Sequence, residues 1–137
     1  MKKTGILAAL LLLIVFISSC SKKPSELIIG EWKVTDFALS QDVSEEIKQA
    51  QKETFDEMKE SSSLVFNSNG TYNYIISMDT VNGKWVISPD AKVLTLTYPD
   101  GQQEISNIVE LTELKLVTST KISNEFENTI TFEKVEK

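Results

Sequence analysis

Few side chains in this 137-residue chain could do acid–base or nucleophilic chemistry. Histidine, the usual general base and the commonest metal ligand, is absent, and Cys20 is the only cysteine. The carboxylates are concentrated in one segment with lysines between them: Glu45, Glu46, Glu53, Asp56, Glu57 and Glu60. This spacing is typical of a solvated helix face with i,i+4 ion pairs rather than of a catalytic acid–base pair. We therefore predict no catalytic site, no metal site, no cofactor and no enzymatic activity.

Cys20 ends a segment that has the three parts of an export signal. Two lysines near the start form a positive region, an apolar run covers residues 6–17, and residues 17–20 are Ile-Ser-Ser-Cys. This ending resembles the lipobox of bacterial lipoproteins, in which the cysteine thiol takes a diacylglycerol through a thioether. A permanent membrane-spanning helix would need roughly 20 apolar residues. We therefore predict a signal peptide over residues 1–19 and lipid on Cys20; a plain signal peptide with a free thiol and a signal anchor are the alternatives.

The charge of the remaining chain argues against several classes of partner. The formal net charge is −6, and loss of the two signal lysines makes the mature chain more acidic still. Such a chain is poorly suited to bind nucleic acid or anionic lipid through a basic patch, so lipid on Cys20 would be the membrane attachment. Residues 20–26 are predicted to be a disordered polar tether. Ser21, rather than Asp, follows the cysteine, which favours the outer over the inner membrane, with the domain facing the periplasm or the cell surface.

From Leu27 onward the hydrophobic pattern has mainly a period of two, which indicates strands. Eight strand-like runs follow one another, and several end in a turn signal such as Asn69-Gly70 or Asn82-Gly83. Short strands at even spacing predict one all-β domain over residues 27–137, built as an antiparallel barrel or sandwich.

One segment, from Asp42 to Glu60, departs from the strand pattern. Its apolar and small residues recur at helical spacing: Val43, Ile47, Ala50, Thr54, Phe55 and Met58. Asp42 and Glu45 have the spacing of a capping box. We predict an amphipathic helix between the first and second strands, with its apolar stripe buried at the mouth of the barrel.

Several short motifs then resemble one protein family. Residues 30–32, Gly-Glu-Trp, are similar to the G-x-W motif on the first strand of lipocalins. The stretch LVFNSNGTY over residues 64–72, followed by Gly-Lys-Trp at 83–85, resembles the lipocalin-like domain of small lipoproteins from Gram-negative bacteria. The resemblance covers about residues 27–135 and implies an eight-stranded up-and-down barrel with Gly30 and Trp32 as fold motif. In larger lipocalins a late Arg stacks on the motif Trp; here Lys134 is the available substitute.

The alternation also predicts which side chains point into the barrel. The expected inward set is Trp32, Val34, Leu64, Phe66, Tyr72, Tyr74, Ile76, Met78, Trp85, Ile87, Leu94, Leu96, Tyr98, Leu114, Leu116, Phe126, Ile130 and Phe132. From it we predict a ligand-binding group of Tyr72, Tyr74, Met78, Trp85, Tyr98 and Phe132. An ordinary core explains the same side chains, because folding alone requires apolar residues inside.

Two functions are therefore expected from different classes. The first is a membrane-anchored protein that binds or carries a small apolar ligand near the membrane. The alternative is a tethered scaffold with a filled core, to which a protein partner docks on a strand edge or on the helix.

Overall fold

The computed structural model describes residues 21–40, 43–124 and 126–137. The predicted signal peptide and Cys20 lie outside the described residues. The elements in chain order are α1 (Pro24–Leu27), β1 (Gly30–Leu39), α2 (Glu45–Ser61), β2 (Ser62–Phe66), β3 (Thr71–Ile76), β4 (Asp79–Ile87), β5 (Val93–Thr97), β6 (Gln103–Leu111), β7 (Lys115–Lys121) and β8 (Glu127–Lys134). Among the described residues, no helix has both the length and the apolar character that a membrane crossing requires.

The eight strands form one closed antiparallel barrel. Each strand pairs with the next along the chain, and β1 also pairs with β8, where Lys33 lies opposite Glu133. The prediction of an eight-stranded up-and-down barrel with one helix between the first two strands is confirmed. Closure gives every strand a neighbour on both sides, and the pairing of β1 with β2 covers only residues 30–32 of the longer β1. Docking of a protein partner on a strand edge stays a prediction.

The end of the barrel where β1 begins is closed by a short segment that includes part of the predicted disordered tether. Residues Pro24–Leu27 form a helical turn, whose start is stabilised by the Glu26 carboxylate accepting a hydrogen bond from the Lys23 backbone N–H (3.3 Å). Ile28, directly after this turn, is fully buried. The tether prediction was wrong here because a buried Ile28 holds the preceding turn against the barrel, and local polarity does not reveal that contact.

Helix α2 begins later than predicted. Its N-cap is Ser44, whose hydroxyl accepts a hydrogen bond from the Ile47 backbone N–H (3.5 Å), and Asp42 lies outside the described residues. The helix contacts β1, with the Phe55 ring stacked on Phe37 at 5.9 Å between centroids. None of its residues is fully buried, and Ile47 remains 47% exposed. The apolar stripe therefore covers the rim of the barrel without entering it.

A β-bulge between Val34 and Asp36 changes the phase of β1. Before the bulge, Trp32 and Val34 face the interior; after it, Phe37 takes that side, where it meets α2. A bulge adds one residue to one strand of a pair, so every later side chain changes face. This phase change puts a large aromatic residue under the helix.

Two members of the predicted inward set lie outside the barrel. Met78 is 100% exposed in the β3–β4 turn, and Leu114 is 52% exposed in the turn before β7. Both predictions were wrong because the strand ends before these positions, so the alternation no longer sets their direction. On β6, Ile105 and Val109 face outward and are more than half exposed, while Ser106 is buried.

Candidate functional site

The barrel encloses a cavity of about 500 Å³. Its lining side chains come from six strands (β2, β3, β5, β6, β7 and β8) and from the loops after β5 and β7. One part of the wall is apolar and comprises Leu64, Leu94, Leu96, Leu116, Ile130 and Phe132. The other part is polar and comprises Tyr72, Tyr74, Tyr98, Gln103, Glu104, Ser106, Thr118, Thr120, Lys121 and Asn128. An eight-stranded barrel can be filled by its own side chains or can hold one small molecule, and this volume corresponds to the second case.

Four of the six predicted ligand-binding residues line this cavity: Tyr72, Tyr74, Tyr98 and Phe132. Met78 does not, since it lies in the exposed turn. Trp85 is buried but belongs to the packed core, where its ring meets Phe66 edge-on at 5.7 Å between centroids. Its Nε1–H donates to the Asn67 carbonyl (3.0 Å) and so holds the β2–β3 turn. The binding role of the predicted group stays a prediction.

The polar part of the wall is organised around one carboxylate. The Tyr98 hydroxyl donates a hydrogen bond to Glu104 Oε2 (2.8 Å). Burial raises the pKa of Tyr98, and the hydrogen bond to Glu104 and the charge of that carboxylate raise it further. Burial likewise raises the pKa of Tyr72 and of Tyr74, with a smaller contribution from Glu104. All three phenols therefore keep their protons at neutral pH and remain hydrogen-bond donors.

Glu104 is not among the residues predicted to bind a ligand. On β6 the alternation of Ile105, Asn107 and Val109 drew attention to that face, but Glu104 and Ser106 face the cavity. The only available signal was the register: Glu104 pairs with Leu96, and Leu96 was already assigned to the interior. Directly paired residues on adjacent strands point to the same face.

Two polar atoms in the cavity wall have no hydrogen-bond partner among the described residues. They are the hydroxyl of Tyr72, whose side chain is 1% exposed, and Oδ1 of Asn128. By contrast, the hydroxyl groups of Ser106 and Thr120 form a hydrogen bond with each other, with an O···O distance of 2.6 Å. An unmade hydrogen bond on a buried polar atom costs roughly 1–3 kcal/mol, so such atoms favour an occupant that can bind them.

The open end of the cavity adjoins a second, apolar space of about 430 Å³ under α2. Phe37, Phe55 and Met58 line this second space, and Asn128 and Ile130 line both. The helix therefore lies over the route by which a small molecule would enter the barrel from this end.

The opposite end is closed by the predicted fold motif. Gly30 has φ +133°, a conformation that favours glycine, and Trp32 is fully buried. The Trp32 Nε1–H donates to the Ile28 carbonyl (2.7 Å), and Lys134 Nζ lies 4.8 Å from the centroid of the indole. Lys134 thus lies over the motif Trp, in the place predicted for it as a substitute for the lipocalin Arg. Burial lowers the pKa of Lys134, but its Nζ is held by two backbone carbonyls.

Comparison with known proteins identifies the family. The sequence-family model of the lipocalin-like domain matches residues 28–118 of this chain. The chain belongs to the lipocalin-like domain family. Lipocalin-like domains are typically binding proteins rather than enzymes. The described residues of this chain contain no group of three or more side chains that could hold a metal ion; the absence of an enzymatic activity stays a prediction.

A solved structure of another protein shares the fold. A DUF4847 family protein from Bacteroides vulgatus is 13% identical, with 81% of this chain and 96% of that chain covered and a TM-score of 0.56. Two structures of bovine odorant binding protein, one with a selenium-containing odorant and one with its natural ligand, are 18% and 20% identical. In each comparison the matched region covers 85% of this chain and 76% of the odorant binding protein chain, with a TM-score of 0.48. No curated protein sequence matches the chain significantly.

Proposed function

We propose that this protein is a lipid-anchored lipoprotein whose lipocalin-like barrel binds or carries a small, largely apolar ligand close to the membrane. The observation that carries the ligand part is the cavity of about 500 Å³ with its apolar wall of leucine, isoleucine and phenylalanine side chains. Sites for small molecules typically have volumes of roughly 300–1,000 Å³ and few polar groups. A barrel filled by its own side chains would leave no such space.

A binding experiment on residues 21–137 tests this function. The backbone ladder that closes the barrel runs from Gly30 to Lys134, so this segment contains a complete set of strand pairings. A neutral apolar probe, N-phenyl-1-naphthylamine, should gain fluorescence on binding. Thr118→Phe places a ring in the cavity, because Thr118 lines it, and should weaken binding of the probe roughly tenfold or more.

The control is the same change on the outer face. Thr95 pairs with Val86, which is 64% exposed, so Thr95→Phe should leave the probe affinity unchanged. Absence of probe binding to the unaltered domain, with no lipid found by native mass spectrometry and no shift of the melting temperature across a lipid panel, would contradict a carrier. That outcome would favour the tethered scaffold, with a protein partner docking on α2.

The membrane part of the proposal rests on the lipobox-like residues 17–20 and is tested separately. Cys20→Ala should abolish lipid labelling and leave the protein unprocessed, whereas Ser25→Ala should change neither. Fractionation of cells that make each form gives the readout. If Cys20→Ala is still processed and retained in the membrane to the same extent, the lipid anchor is not the attachment. Ser21→Asp should move the protein from the outer to the inner membrane if the residue after the cysteine governs sorting.

A further inference from the structure

We propose that the barrel takes an organic cation: a molecule with an ammonium group, bound at Glu104 and the three tyrosines, and an apolar body that contacts the leucine-rich wall. This inference rests on the proposed ligand-binding function and adds the chemical class of the ligand. Four observations support it, and they concern the charge in the cavity, its unused acceptors, its aromatic faces and the position of its apolar wall.

The carboxylate of Glu104 is the only acidic group that lines the cavity among the described residues. It receives one hydrogen bond, from Tyr98, and forms no ion pair with any described residue. An ionised carboxylate has two oxygens and about four acceptor positions. Most of the acceptor capacity of Glu104 is therefore unused, and an opposite charge that donates hydrogen bonds stabilises such a partly buried carboxylate most strongly.

The remaining unpartnered atoms also accept hydrogen bonds. The hydroxyl of Tyr72 can both donate and accept, and the free atom of Asn128 is its amide oxygen, an acceptor. An ammonium group has up to three donors and no acceptor, which is the complementary set. Asn128 lies on β8 and Glu104 on β6, with β7 between them. The amide oxygen of Asn128 would therefore accept a hydrogen bond from a second donor group of the same ligand.

The tyrosine rings supply the third contribution. Tyr72, Tyr74 and Tyr98 surround the same region of the cavity, and each keeps its proton at neutral pH, so their rings are neutral aromatic surfaces. The faces of aromatic rings attract cations, with Tyr among the favoured partners. Gly83 allows this arrangement, because a Cβ there would lie 2.7 Å from the Tyr72 ring and would displace it.

The apolar wall starts next to the carboxylate. Leu96 pairs directly with Glu104 across β5 and β6, and Leu94 pairs with Ser106 one step deeper. A ligand with its ammonium at Glu104 would therefore place its body against these leucines. A fatty acid would instead bring a second carboxylate beside Glu104, which like charges disfavour. The one lysine in the lining, Lys121, is exposed at the rim and lies opposite Glu127 in the register.

Three matched ligands test the inference on the full chain, purified in a non-ionic detergent. They are 2-phenylethylamine, 2-phenylethanol and 3-phenylpropanoate, which have a similar body and a positive, neutral or negative polar group. Calorimetric titration, corrected by titration into the same detergent buffer, should rank the amine tightest and the carboxylate weakest. The amine should bind roughly tenfold or more tightly than the alcohol, as a hydrogen-bonded charge pair requires. Equal affinities, or a preference for the carboxylate, would overturn the inference without use of any variant.

Variants then assign the preference to Glu104. Glu104→Gln should weaken amine binding roughly ten- to hundredfold and change alcohol binding by less than about twofold. The matched control is Glu133→Gln, an exposed outer-face position that lies opposite Lys33, and it should change neither affinity. An amine preference that survives in Glu104→Gln contradicts the site. If N-phenyl-1-naphthylamine, the neutral probe, binds but 2-phenylethylamine is not preferred over the alcohol, only this inference fails. If neither the probe nor 2-phenylethylamine binds, the proposed ligand-binding function fails as well.

Discussion

Replacement of Lys134 by methionine removes the charge that joins the last strand to the segment before the first. Lys134 Nζ donates to the backbone carbonyls of Leu27 (2.7 Å) and Ile29 (2.9 Å), and it lies 4.8 Å from the ring centroid of Trp32. Methionine keeps an unbranched stem of similar length, so most of the apolar packing against the indole remains. The change therefore isolates the contribution of the ammonium group.

The expected loss follows from these three contacts. A hydrogen bond to a charged group contributes roughly 1.5–3 kcal/mol, and a cation over an aromatic ring about 0.5–1 kcal/mol where water has access. The Lys134 side chain is only partly buried, and the pKa of its ammonium is lowered by burial, so each contact should lie at the low end of its range. We expect Lys134→Met to lower the free energy of unfolding by about 2–4 kcal/mol.

Urea unfolding of residues 21–137, followed by tryptophan fluorescence, measures this loss. With a dependence of about 1–3 kcal/mol per molar urea, the midpoint should fall by roughly 1–2 M. Lys84→Met, on the exposed outer face of β4, is the control and should change stability by less than about 0.5 kcal/mol. Lys134→Arg keeps the charge over Trp32 and should retain most of the stability. Equal midpoints for the Lys134 and Lys84 methionine variants would refute the role assigned to Lys134.

Two further predictions concern the tyrosines and the glycine beside them. The chain has three tyrosines, and folding raises the pKa of each above the usual value of about 10. The folded state thus holds these protons more tightly, so its stability is fully present below pH ~10 and is lost as the pH rises through the folded-state pKa values. Absorbance at 295 nm should show phenolate only together with unfolding, while the urea-unfolded chain titrates near pH 10; a native chain that titrates near 10 with intact circular dichroism would disagree. Gly83→Ala should cost about 2 kcal/mol or more, because the new Cβ would meet the Thr97 carbonyl oxygen at 2.2 Å and the Tyr72 ring. Urea unfolding checks this, and a variant as stable as the unaltered domain would contradict the close approach.

The strand pattern could be predicted where one face of a strand is clearly apolar and a turn signal follows. Leu64 and Phe66 precede the Asn69-Gly70 turn, and both are buried in the barrel as expected. Gly30 and Trp32 were likewise predicted as a fold motif, through their resemblance to the G-x-W motif of lipocalins; Gly30 has φ +133° and Trp32 is fully buried. Local chemistry of this kind requires no knowledge of distant contacts.

The facing of β6 could not be predicted in the same way. Both of its faces carry apolar residues, with Ile108 packed inside and Ile105 and Val109 outside, so alternation alone does not say which face is buried. The predicted ligand-binding group lacked Glu104 for this reason, because Glu104 lies on the inner face of β6 together with Ser106. Met78 was included for a different reason: it was assigned inward although β3 ends before it.

What the sequence by itself determined is local: the export-signal pattern that ends at Cys20, the succession of strands and turns, the single amphipathic segment, and therefore the class of barrel. What only the tertiary structure decided depends on pairing between distant residues. Pairing of β1 with β8 brought Lys134 over Trp32, and pairing of β5 with β6 brought Glu104 to Tyr98. Periodicity defines the two faces of each strand, but closure of the barrel decides which face surrounds the cavity and which charge lies within it.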